Sequence, residues 1–257
     1  MTNSLYVPTN SRLHRLHPFN KLTYIFLIGI TAYVEPGDIP FLLLATLLNL
    51  GLAAANGIFA RSWALFWRTL LPLSIFMLPI HGLLNPSNET VLITWQSLTL
   101  YREGLFFGIR TLLQVAAVLS ASLLFVYTTH PADLVAALQT AGWSQGIAYV
   151  FSSPLLLIPA MRERIETIRA AQAARGLSSD GNILQRTRAL FPLLAPLILG
   201  AFSEIEERSI ALDVRAFNSP GAKTLWRIVP DSSSQRLWRW GMFVLSIFLI
   251  VLGVFTS

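Results

Sequence analysis

Cysteine is absent from all 257 residues, which excludes disulfides, thiolate metal sites and cysteine nucleophiles. Charge is scarce: 12% of the residues are Asp, Glu, Lys or Arg, about half the share in an ordinary soluble domain. Histidine occurs only four times. His14 and His17 lie close together, but no carboxylate or third histidine stands beside them, so they read as part of a solvated loop rather than as a metal site. His81 falls near the outer end of an apolar block. No complete Gly-x-x-x-x-Gly-Lys-Ser/Thr loop occurs. Gly221-Ala222-Lys223-Thr224 resembles its tail but lacks the earlier glycine and the preceding strand. His-Glu-x-x-His and Gly-x-Ser-x-Gly are missing too. The chain thus shows no means of hydrolysing anything, and the energy for any work it does must come from a partner. The first twenty residues are polar, carry Arg12, His14, Arg15 and His17, and do not form a cleavable signal peptide. The amino terminus is expected to stay inside.

Apolar residues make up 54% of the chain, and mean hydropathy is +0.58. They come in long blocks, the mark of an integral membrane protein. The net charge of +6 sits beside these blocks, as expected for basic cytoplasmic loops, and argues against nucleic-acid binding. The first block, Leu22 to Val34, is short for a span. Glu35-Pro36-Gly37-Asp38-Ile39-Pro40 is acidic and turn-rich and suits the outer face. Phe41 to Phe59 leads to Arg61 and Arg68, which mark a return inside. Trp63 to Leu84 contains Pro72 and Pro79, which membrane helices tolerate. Asn85 to Glu103 reads as a polar loop, and its sequon at Asn88 carries no weight. Gly104 to Thr129 holds Arg110 and Gln114 on one face; the arginine suits a snorkelling or intersubunit role. The last block runs from Leu237 to Phe255.

The fold class is therefore an all-α integral membrane protein, with about five transmembrane helices and a cytoplasmic region of amphipathic helices. Residues 1–129 form the first region with four spans, 130–217 the cytoplasmic helices, and 218–257 a linker and the final span. His130 caps the first cytoplasmic helix, which Gly142 ends. A second runs to Arg175-Gly176, with Met161, Ile165 and Ile168 as its apolar stripe and Arg162 and Glu166 at i,i+4 spacing. Gly176 is a helix stop. A third runs from Leu184 to Phe217, bent by Pro192 and Pro196, with Glu204, Glu206 and Glu207 on a charged face.

Two short segments on this side resemble each other: Ala171-Gln172-Ala173-Ala174-Arg175-Gly176 and Ala211-Leu212-Asp213-Val214-Arg215-Ala216. Each ends an amphipathic helix with an arginine among small residues. One reading lays both helices on lipid phosphate. Their mixed charge, the small neighbours that admit a close groove, and arginine's bidentate fork favour docking on protein carboxylates. The two arginines stand 40 residues apart, which suits a two-lobed partner.

On these motifs the chain resembles the transmembrane T component of energy-coupling factor transporters, the vitamin and nickel/cobalt importers of prokaryotes. Ala174-Arg175-Gly176 matches the first of the family's two Ala-Arg-Gly-like signatures. Val214-Arg215-Ala216 matches the second less strictly. Ser11 to Leu22 resembles the family's opening, with His17 where Asp is common, and Thr128 to Leu134 resembles the start of its first coupling helix. The resemblance covers nearly the whole chain. It implies a non-catalytic subunit of the inner (cytoplasmic) membrane that holds no cofactor of its own. Two ABC-type ATPase subunits carry the ATP and magnesium and receive Arg175 and Arg215. A separate S component binds the substrate and sits on an apolar platform to which Met161, Ile165, Ile168, Leu190, Leu193 and Leu197 contribute. The alternatives are a permease subunit of a conventional ABC importer, although no Glu-Ala-Ala-like loop is evident, and an autonomous secondary carrier, although no repeat of spans is evident.

Overall fold

Long runs of Leu, Ala, Ile and Phe with no internal charge satisfy their backbone polar groups best as helices, and helices dominate this chain. A computed structural model describes residues 6–7, 9, 11–33, 39–86, 89–95, 98–176, 183–217, 219, 227 and 229–256. Among them the elements run α1 (Pro18–Tyr33), α2 (Ile39–Ala55), α3 (Phe59–Leu84), β1 (Val91–Trp95), β2 (Leu98–Tyr101), α4 (Arg102–Thr128), α5 (Pro131–Thr140), α6 (Gln145–Ala174), α7 (Ile183–Val214) and α8 (Ser233–Thr256). The acidic 35–38 turn, the 178–182 connection and Gly221 to Thr224 lie outside the described residues.

The chain divides into two units, Met1–Ala137 with Ile228–Ser257, and Leu138–Arg227. In the first, α4 is the hub against which α1, α2 and α3 pack. Its buried face carries a run of small residues, Gly108, Ala116, Ala117, Ser120 and Ala121, beside Leu112, Leu123, Leu124 and Tyr127. Apolar helices in lipid gain nothing from hiding grease, so close approach on small residues takes over as the packing force. At Gly108 a Cβ would stand 3.3 Å from Leu78. Polar groups tie the helices together: Tyr24 donates to Asn49 (2.6 Å), Asn49 to Ser120 (3.0 Å), and Gln114 to the carbonyl of Ala32 (2.7 Å). Gln114 thus spans from α4 to α1. One turn earlier, Arg110 is half-buried and its Nε has no partner among the described residues.

Among the described residues, three helices are long and apolar enough to cross a membrane: Phe59–Leu84, Arg102–Thr128 and Ser233–Phe255. Helices α2 and α1 are shorter, at 17 and 16 residues. Sixteen residues rise about 24 Å, less than the roughly 30 Å of hydrocarbon.

The stretch read as a polar loop between α3 and α4 contains an antiparallel hairpin of β1 and β2. Val91-Leu92-Ile93-Thr94-Trp95 is β-branched and aromatic, a strand composition that the flanking Asn and Glu residues mask. Leu100 packs on α3 so closely that a Cβ at Gly82 would stand 2.8 Å from it. Glu103, in the first turn of α4, accepts from the backbone of Thr90 at 3.1 Å.

The amino-terminal histidines differ from the solvated loop expected of them. His17 is buried, and its backbone N–H donates to Gln235 at 2.9 Å. His14 is half-buried, with Ser11 Oγ 2.6 Å from Nδ1 and Val7 O 2.9 Å from Nε2. A neutral ring protonated on Nε2 satisfies both contacts. His130 caps α5 as expected: its Nδ1 accepts from Ala132 N at 3.1 Å, and its carbonyl from Asp133 N. His81 rests against the ring of Phe107, 4.8 Å between centroids.

The second unit is built on α6 and α7, which contact each other antiparallel. Met161 of α6 lines a cavity with Ala201 and Glu204 of α7, and Tyr149 lines the same cavity with Leu212.

Candidate docking site at the two arginine tips

Both arginine segments end their helices in the same geometry. Helix α6 stops at Ala174; Arg175 is its C-cap, and Gly176 follows at φ +84°. The N–H of Gly176 reaches back to Ala173 O at 2.9 Å. Helix α7 stops at Val214; Arg215 takes the equivalent place, and Ala216 follows at φ +54°. The N–H of Ala216 meets Asp213 O at 2.9 Å, and that of Phe217 meets Leu212 O at 3.0 Å. These are the two bonds of a Schellman cap, which needs a left-handed residue just past the C-cap. Glycine adopts that conformation freely; alanine pays for its Cβ. The Gly176-to-Ala216 difference between the segments therefore leaves the cap geometry intact.

Each tip is braced by the other helix. Pro196 has no N–H, so the carbonyl of Pro192, four residues back, loses its helical donor. Gln172 Nε2 of α6 fills that vacancy at 3.3 Å. At the opposite end the ring of Phe217 packs edge-on against Tyr149, 5.5 Å between centroids. Between the two braces, Glu204 accepts from Arg208 at 2.6 Å and from Arg164 of α6 at 3.4 Å. This partnership with Glu204 raises the Arg208 guanidinium above its ordinary value.

An antiparallel pair puts its two C-termini at opposite ends. Tyr149, beside the Arg215 tip, and Arg175 are separated by roughly 40 Å of helix rise if α6 is straight. Arg175, Gly176, Val214, Arg215 and Ala216 are all exposed, as is Ala174. Neither guanidinium forms an ion pair among the described residues. The site is therefore two separate cationic tips rather than one cluster. Arginine in this state is a ready bidentate donor for a carboxylate. Arg162 and Glu166 are both exposed; among the described residues, the ion pairs between Arg164, Arg208 and Glu204 tie this unit together instead.

The apolar residues singled out from sequence distribute differently. Leu193 is buried, and Met161, Ile165, Ile168 and Leu197 are half-buried. Leu190 lies on α7, and its side chain is outside the described residues. A second set, unmarked in the sequence reading, is exposed. On α6 it comprises Ile147, Phe151, Leu155 and Ile158, and on α7 Leu194, Ile198, Phe202 and Ile205. Their spacing of three and four residues makes one stripe on each helix. That spacing is present in the sequence, with prolines and charged residues interspersed along both helices.

Residues 9–225 match the family described as cobalt transport protein, CbiQ. Several known proteins called energy-coupling factor transporter transmembrane protein EcfT are similar over most of their length. One from Heliobacterium modesticaldum is 30% identical over 88% of this chain and 88% of its own. One from Bacillus selenitireducens is 28% identical over 95% of this chain and 92% of its own. One from Acidaminococcus fermentans is 25% identical over 98% of this chain and 95% of its own.

Proposed function

The chain belongs to the CbiQ/EcfT family, the transmembrane T components of energy-coupling factor transporters, and on that premise we propose that its two arginine tips each dock one ATPase subunit. In this reading ATP is bound and hydrolysed by the partners, and this chain carries the motion. The observation that carries the proposal is the shared cap geometry: two exposed C-cap arginines, each followed by a left-handed residue, at opposite ends of one antiparallel helix pair. A partner with two equivalent carboxylate-lined grooves fits that arrangement, because each small-residue tip admits close approach and each guanidinium offers two parallel hydrogen bonds.

The helix pair supplies the lever. When two ATPase subunits approach or separate, they pull on opposite ends of α6 and α7, and the helices turn against each other near Glu204. The Arg164–Glu204–Arg208 contact holds the crossing while the tips travel. An S component seated on the exposed stripes and on the platform of Met161, Ile165, Ile168, Leu190, Leu193 and Leu197 feels that rotation. Substrate choice among vitamins and transition-metal ions then rests with the S component. The tips and α6–α7 face the cytoplasm, where ATP is.

The test is recovery of partners. The tagged chain is extracted gently from its native membrane, and co-purifying proteins are identified by mass spectrometry. Two ATP-binding subunits with a small membrane protein support the reading. Recovery of the chain alone, under conditions that preserve other transporter complexes, contradicts it.

A further inference from the structure

Helix α8 packs extensively against α1 alone among the described elements. The two are pinned where both begin. Asn20 Nδ2 donates to Gln235 O at 2.9 Å, Arg239 reaches Asn20 Oδ1 at 3.5 Å, and the Arg239 guanidinium lies 5.9 Å from the centre of the Phe19 ring. Beyond this seam the helices part and leave a groove of about 500 Å³, with Arg239 and Trp240 at one end and Ile30 and Ile250 at the other.

We propose that this groove binds an anionic phospholipid, with a hydrocarbon chain lying along it and the phosphate at Arg239 and Arg236. Three observations carry the inference. First, the groove has the right length. The eleven residue steps from Arg239 to Ile250 rise about 16 Å, close to the roughly 15 Å that is half of a 30 Å hydrocarbon core. Second, it makes no polar demand. Its two hydroxyls are already used, Thr23 donating to Phe19 O and Ser246 to Met242 O, both at 2.8 Å. The remaining walls include Phe26, Phe243 and Ile247. A polar solute would lose its hydration there without compensation, whereas a hydrocarbon chain loses nothing. Third, charge is concentrated at one end only. Arg239 and Arg236 share the single carboxylate Asp231, at 3.1 and 3.6 Å, which leaves one positive charge in excess. Arginine's fork suits phosphate, and Trp240 beside it is the aromatic that settles at headgroup level. The site is independent of the transporter reading.

The experiment uses the purified full chain in detergent, incubated with equal amounts of phosphatidylglycerol and phosphatidylcholine of identical acyl chains and examined by native mass spectrometry. One excess basic charge at a membrane surface contributes about 1 kcal/mol, so phosphatidylglycerol adducts should exceed phosphatidylcholine adducts about fivefold. Arg236→Gln should bring the ratio towards one. Filling the groove from either side, with Thr23→Trp or Ile247→Trp, should remove the adducts. If either variant loses helix content, quenching by lipid brominated on its acyl chain decides: the Trp240 contribution, read as wild type minus Trp240→Phe, should be quenched more by phosphatidylglycerol than by phosphatidylcholine. Equal adducts of the two lipids in the wild type overturn the proposal. So do adducts that survive both groove fillings, and so does binding of neither lipid.

Discussion

Arg175 and Arg215 are followed by different residues in the same conformation, and that contrast makes a residue-scale prediction. A Cβ in the left-handed region costs roughly 1–2 kcal/mol, part of which is offset because glycine gains more freedom in the unfolded chain. Ala216→Gly should therefore stabilise the end of α7 by about 0.5–1 kcal/mol, and Gly176→Ala should destabilise the end of α6 by a similar amount. Amide exchange of residues 211–217 should slow in the first variant, and that of residues 171–176 should quicken in the second. A second prediction concerns the histidines before α1. Burial pushes His14 below the ordinary imidazole value, with the Lys21 charge adding to it and the Val7 carbonyl opposing. Burial also lowers His17, with Asp231 opposing and Arg239 adding. A base lowered on folding binds fewer protons folded than unfolded. Its contribution is thus present above the unfolded value near pH 6.5 and is lost as pH falls below it. The melting temperature in detergent should drop between about pH 7 and 5.5, and His14→Gln should flatten that drop. A melting temperature independent of pH across this window would contradict the burial argument.

At the scale of the element, α6 and α7 act as a pair because each completes the other. Gln172 supplies the donor that Pro196 cannot, and Glu204 collects one arginine from each helix. Glu204→Ala should loosen the crossing. Arg164 is more than a third exposed, so solvent screening keeps the loss to about 1 kcal/mol or less. The readout is faster amide exchange around residues 160–168 and 200–208, with the helix ends unchanged; exchange unaltered at the crossing would contradict the brace. Elements of this kind were readable in sequence where a local rule applied. Gly142, Gly176 and His130 marked helix ends because backbone caps are local chemistry. The pairings of Glu204 with Arg164 and of Gln172 with Pro192 were not readable, because these partners lie 40 and 20 residues away and local spacing offered Arg162–Glu166 instead. The β1–β2 hairpin was hidden for another reason. Its strand-forming run is five residues long, and the polar residues around it set the average.

For the whole molecule, composition and block length sufficed for a helical membrane protein, and the ordered set of weak motifs sufficed for the family. What the sequence did not carry was the arrangement of the two signatures. Their 40-residue spacing fits adjacent tips as well as distant ones; only the antiparallel contact of α6 and α7 puts them at opposite ends. The apolar stripes follow the same logic, since exposure depends on which face the partner helix takes. The measurement that tests the central claim most directly is the amount of ATPase retained by the tagged chain as wild type, Arg175→Glu, Arg215→Glu and the double variant. Losing a buried charge pair at an interface costs about 2–5 kcal/mol, so each single reversal should weaken retention at least about thirtyfold at its own tip. The account predicts partial loss of ATPase in each single variant and complete loss in the double. Full retention in the double variant would contradict it.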